Sequence, residues 1–133
     1  MTDLYHAIAW IDHREARIFH VNDSEVDAAV VDAHGKGHHL QHKANVTGSG
    51  HHGVDKEFFT RVIAELGQAG AILIVGPGGA KLELKNYIAA HLPQLDQRIA
   101  GVEALDHPSD AQLVALARKF FKADDRMHAP ASS

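Results

Sequence analysis

Residues 71–92, AILIVGPGGAKLELKNYIAAHL, decide how the rest of the chain is read. Ala71 to Val75 is an apolar run too short to form a helix of its own, and Gly76-Pro77-Gly78-Gly79 breaks it. Beyond the break, Leu84, Tyr87, Ile88 and Leu92 recur at helical spacing. A short apolar run, a glycine turn and an amphipathic stretch predict a strand, a tight turn and a helix packed back on the sheet. Because the run does not alternate with polar residues, the strand is expected to be covered on both faces, at the centre of an α/β sheet.

Working outward, the N-terminal side carries three strand patterns. Leu4 to Asp12 places Tyr5, Ala7, Ala9 and Ile11 on one face and His6, Ile8 and Trp10 on the other. Glu15 to Val21 and Glu25 to Asp32 alternate in the same way, and Asp12-His13-Arg14 and Asn22-Asp23-Ser24 supply the turns. Short turns between alternating runs predict an antiparallel meander. Ala33 to Gly53 has no sustained period and is rich in glycine and histidine, so it reads as one long loop. Asp55 is placed to cap a helix carrying Phe58, Phe59, Val62, Ile63 and Leu66, which Gly67 and Gly70 end. On the C-terminal side, Pro93 closes the second helix and Gln97 to Leu105 reads as a fifth strand weakened by Gly101. Ser109 and Gln112 form a capping box at the start of a last helix bearing Leu113, Leu116, Ala117, Phe120 and Phe121. The predicted order is βββ-α-β-α-β-α: an α/β fold with a mixed five-stranded sheet, ribonuclease H-like, helices on both faces. One domain over residues 1–123 is expected, with the loop at 33–53 and a flexible tail at 124–133.

Composition narrows the class of protein. The 45% hydrophobic and 23% charged residues are those of a globular protein that buries a core. No apolar run is long enough to span a bilayer and the N-terminus has no secretory pattern, so the cytoplasm is expected, without a membrane partner. Disulfides and thiolate metal sites are excluded because there is no cysteine. A formal net charge of −4 counts against a strong, non-specific nucleic-acid binder, and no DNA partner is expected. Exposed edges of an open sheet leave a homodimer as a further expectation.

The turn from Gly76 to Lys81 resembles a phosphate loop but fails both the Walker A and dinucleotide patterns. The free amides at Gly78 and Gly79, with Lys81 and Lys85 close by, could hold a single phosphate of an RNA backbone, while the simpler reading is a tight turn at the top of the sheet. A two-metal nuclease needs converging carboxylates, and only Asp12 and Glu57 are suitably placed, with no acid at the end of the fourth strand. The loop holds His34, His38, His39, His42, His51 and His52, with Lys36 and Lys43 among them. Imidazoles at this density are candidate Zn or Ni ligands, although their spacing matches no zinc motif. Histidine, lysine and glycine in a long loop also suit RNA, where they reach phosphates and stack on bases.

The run ILIVGPGGAKLELKNYIAAHL, together with the element order from Tyr5 to Phe121, resembles the middle domain of the eukaryotic and archaeal class-1 peptide release factors and of Pelota. It is most similar to the short bacterial relatives of that domain, described as translational machinery proteins. In release factors the interval after the third strand carries His-Gly-Arg-Gly-Gly-Gln and enters the peptidyl-transferase centre. Here that interval reads His34-Gly35-Lys36-Gly37-His38-His39. The His-Gly-basic-Gly start is kept, and His38-His39 replaces the Gly-Gln pair that serves hydrolysis. The resemblance therefore implies a translation-related protein that contacts the ribosome, rRNA or tRNA without catalysis. Lys36, His38, His39 and Lys43 would be its contacts, and Gly78, Gly79, Lys81 and Lys85 a second phosphate contact. The alternatives are a metal-binding protein using the loop histidines, or a hydrolase, either nuclease or peptidyl-tRNA esterase.

Overall fold

The computed structural model describes residues 5–22, 24–33, 56–67 and 69–128, with 123–128 as backbone alone. Three strands open the chain: β1 (His6–Ile11), β2 (Glu15–Val21) and β3 (Val26–Asp32). There follow α1 (Lys56–Leu66), β4 (Ala71–Gly76), α2 (Ala80–His91), the short α3 (Pro93–Asp96), β5 (Ile99–Ala104) and α4 (Asp110–His128). The strands form one five-stranded mixed sheet, which in chain-order labels runs β3-β2-β1-β4-β5. β1 pairs antiparallel with β2 and β2 with β3, whereas β1–β4 and β4–β5 are parallel. This is the expected α/β class, with one adjustment. The middle strand is β1, and β4 lies beside it.

Both strands are apolar because both are covered twice. Ala7, Ala9 and Ile11 of β1 and Ile72 and Ile74 of β4 join a core with α1, α2 and Leu95 of α3. Ile8, Trp10, Leu73 and Val75 face the other way, against Leu113, Ala117 and Phe121 of α4. Period 2 along the strand thus feeds two cores at once.

Local chemistry sets the element ends. Gly67 has φ +55° and its N–H bonds the Ile63 carbonyl at 3.1 Å, a left-handed helix terminus that favours glycine. Gly76 is required for a different reason, since a Cβ there would lie 2.1 Å from the Ile11 carbonyl oxygen. At the start of α4, the Ser109 N–H donates to Gln112 Oε1 at 2.8 Å and the Gln112 N–H to Ser109 Oγ at 3.1 Å, the reciprocal capping box. Asp55 lies outside the described residues.

Two boundaries differ from the sequence reading. Pro93 stands in the first turn of α3 rather than merely closing α2, because proline at a helix start gives up no intrahelical bond. The last helix keeps its form through His128, into the stretch expected to be a tail. β5 is interrupted as Gly101 suggested: Ile72 pairs with Ile99 and Leu73 with Gly101, leaving Ala100 as an extra residue. No helix among the described residues is long and apolar enough to cross a membrane.

Candidate functional site

The parallel strands β1, β4 and β5 all end at the same edge of the molecule, where ligands of open α/β sheets usually bind. The β1–β2 turn, the β4–α2 turn, the end of β3 and the β5–α4 connection meet there. Each is fixed by identifiable bonds. Asp12 Oδ1 accepts from the Arg14 N–H at 2.8 Å and the Glu15 N–H at 2.9 Å, which tightens the first turn. His13 Nε2 lies 3.1 Å from Glu83 Oε1, linking that turn to α2. At the end of β3, the Ala33 N–H donates to the Arg14 carbonyl at 2.8 Å, and Arg61 of α1 donates to the Asp32 carbonyl at 2.9 Å.

A second cluster organises the opposite face of this end. Trp10 is buried, and its indole N–H donates to the Asp106 carbonyl at 2.7 Å. Arg17, its cross-strand partner, stacks its guanidinium 4.6 Å from the Trp10 ring. The same guanidinium donates to Asp110 Oδ1 at 2.7 Å and to the Pro108 carbonyl at 3.1 Å. His107 sits with its ring 5.0 Å from Trp10 and its Nε2 3.9 Å from Asp12 Oδ2. The sequence reading treats Arg17 only as one residue of an alternating strand and misses that it joins Trp10 to Asp110 and the Pro108 carbonyl, although an arginine opposite a tryptophan across a short turn is the available signal.

Between these groups lies a cleft of about 440 Å³ lined by Trp10, Asp12, Arg14, Glu15, Asp32 and His107. Its carboxylates outnumber its one arginine, so its field favours a cationic or neutral group over a phosphate. Among the described residues, no three His, Asp or Glu side chains converge to hold a metal ion. Asp12 spends one oxygen on its own turn, and the nuclease alternative finds no support in the described residues.

The sequence-nominated residues fall into two groups. Gly78 and Gly79 are exposed, and open space surrounds the position of a Gly78 Cβ. Lys81 is buried, at 9% exposure, and Nζ donates to the Gly78 carbonyl at 2.5 Å. Lys85 pairs with Asp96 Oδ1 at 2.9 Å. Both ammonium groups are thus engaged by the protein itself. Lys36, His34, His38, His39, His42, Lys43, His51 and His52 lie outside the described residues.

No family model matches the chain, and no curated protein sequence matches. Solved structures do. Pelota from Archaeoglobus fulgidus matches with a TM-score of 0.58 at 15% identity, over 84% of this chain and 29% of that one. Pelota from Thermoplasma acidophilum matches with a TM-score of 0.56 at 18% identity, over 84% and 32%. An archaeal translation termination factor matches with a TM-score of 0.53 at 17% identity, again over 84% and 32%. The fold is shared with part of Pelota. At these identities the likeness is one of fold, and the chain spans about a third of the length of the proteins it matches.

Proposed function

We propose that this chain is a translation-related protein that associates with the ribosome or its RNA and contributes contacts rather than catalysis. The observation that carries the reading is the fold shared with Pelota and a translation termination factor across 84% of the chain. Residues 33–53 are its contact element. They leave the sheet at Ala33, at the end where β1 and β4 also finish. The cleft beside that exit is acidic, and Lys81 and Lys85 are turned onto Gly78 and Asp96. The cationic part of an RNA contact therefore falls to Lys36 and Lys43, with His38 and His39 as stacking and hydrogen-bonding groups. The exposed amides at Gly78 and Gly79 offer a secondary phosphate contact. His38-His39 at the place of a Gly-Gln pair supports a role without hydrolysis, and the cytoplasm is the compartment such a role requires.

Co-sedimentation with ribosomes from a bacterial lysate, at low and moderate salt, tests this directly. The full chain is compared with a version lacking residues 35–50, with circular dichroism to verify that both fold. The expected result is binding that survives moderate salt and is lost with the deletion. A folded full chain that stays in the supernatant at every salt concentration would refute the reading and leave the shared fold alone.

A further inference from the structure

The edge formed by β3 is built differently from the rest of the sheet. Its pairing with β2 runs from Val21↔Val26 to Glu15↔Asp32 in one continuous antiparallel register. The bonds flanking that ladder fix its phase: Asn22 N–H donates to the Glu25 carbonyl at 3.1 Å, and Ala33 N–H to the Arg14 carbonyl at 2.8 Å. Bonded and non-bonded pairs alternate along an antiparallel ladder. Asp27, Ala29 and Val31 therefore bond to β2, whereas the N–H and C=O groups of Val26, Ala28 and Val30 point away from it. No described strand lies beyond β3.

The same three residues carry exposed apolar side chains. Val26 is 47% and Val30 66% exposed, and Ala28 between them is exposed as well. They share a sheet face with Phe19 and Val21, which α4 covers. α4 packs over β1 and β2, and it reaches the β3 side through Arg118, which donates to the Asn22 carbonyl at 2.9 Å and the Glu25 carbonyl at 3.1 Å. Among the described residues, no helix packs over the stripe beyond. The other edge is irregular: the β5 ladder is broken at Gly101, whereas the β3 ladder is continuous.

We propose that the β3 edge pairs with the β3 edge of a second copy of this chain, antiparallel about a two-fold axis through Ala29. Ala29 is the midpoint of Val26–Asp32; Arg61 already holds the outward Asp32 carbonyl, so the bonds between copies run through Ala28 and Val30. This register sets Ala28 opposite Val30 of the second copy in both directions, and these are residues whose backbone groups point outward. Val26, Ala28 and Val30 of both copies then form one apolar stripe across the seam. Asp27 falls opposite Val31 and Asp32 opposite Val26, so no carboxylate faces another directly, which is what identical acidic chains require. A shift that centred the axis on Asp27 would set two carboxylates opposite each other. One strand edge buries less than the roughly 1,200–2,000 Å² of a standard stable interface, so the dimer is a weak, concentration-dependent one.

Sedimentation equilibrium of the full chain across a wide concentration range tests the pairing, read beside Val30→Lys and Ala28→Pro. Both substitutions fall where the monomer's own ladder makes no bond. The expected result is a mass rising towards two chains in the parent, with the dissociation constant raised at least about tenfold in each variant. Amide hydrogen exchange locates the contact: the Ala28 and Val30 amides gain protection with concentration, while Ala29 and Val31 are protected throughout. A single-chain mass at every concentration would overturn the proposal. So would a dimer that persists in Val30→Lys, which places the contact elsewhere. Protection of Ala28 and Val30 at dilutions where the mass is one chain would also overturn it, because another segment of the same chain would then hold the edge.

Discussion

The two faces of the sheet solve the same covering problem with unequal means. One face is packed by α1, α2 and α3, whose Phe58, Phe59, Val62, Leu84, Ile88 and Leu95 are all buried. Among the described residues, the other is packed by α4 alone, through Leu113, Ala117 and Phe121. A helix is about 10 Å across and strands lie about 4.8 Å apart, so one helix covers little more than two strands. Five strands with a single helix on one side must leave apolar surface at a margin. That margin falls on β3, where Val31 is buried beneath the helix-rich face and Val30, its neighbour, is 66% exposed on the other. The bare stripe follows from an uneven count of covering helices, and the hydrophobicity of β3 alone does not reveal it.

The contrast can be broken first at its aromatic anchors. Phe59→Ala on the helix-rich face and Phe121→Ala on the single-helix face should each cost about 3–5 kcal/mol, with Phe59 the larger because its surroundings are closed by several helices. Urea unfolding of the two variants checks both the size and the order. A smaller effect is expected at the clasp that holds the start of α4 to the sheet. Arg17→Met loses the contact with Trp10 and the Asp110 bond, and should cost about 1 kcal/mol after allowance for solvent screening. Ser109→Ala removes one arm of the capping box and should cost about 1 kcal/mol in the same assay. Smallest of all, Val30→Lys should change monomer stability by less than about 0.5 kcal/mol, because its side chain lies on the uncovered margin. A large loss there would mean that the margin is covered in the monomer.

Much of the fold was legible residue by residue. Alternation in EARIFHV placed β2 at Glu15–Val21, and the unbroken run AILIV placed β4. Glycine punctuation placed the end of α1, and the Ser-x-x-Gln spacing placed the start of α4. What the periodicity could not give was strand order. A doubly covered strand reads as apolar wherever it sits in the middle of a sheet, so β4 was expected at the centre that β1 occupies. The site was less legible. Gly78, Gly79, Lys81 and Lys85 resemble a phosphate loop in sequence, yet the two lysines are bonded to Gly78 and Asp96. The cluster around Trp10 joins residues separated by about ninety positions or more, which no local pattern connects.

The sequence by itself determined the elements, their order and the alternation that gives each strand two faces, because these depend on neighbours within a few residues along the chain. Only the tertiary structure decided where a charge is spent and which surface is left over. Lys81 turns inward because a turn carbonyl stands within its reach, and Arg17 is held by Trp10 from one side and Asp110 from the other. Val26 and Val30 stay in the open because α4, the one described helix on their face, lies over β1 and β2. Each outcome depends on what packing brings close in space, and a linear pattern carries no record of that.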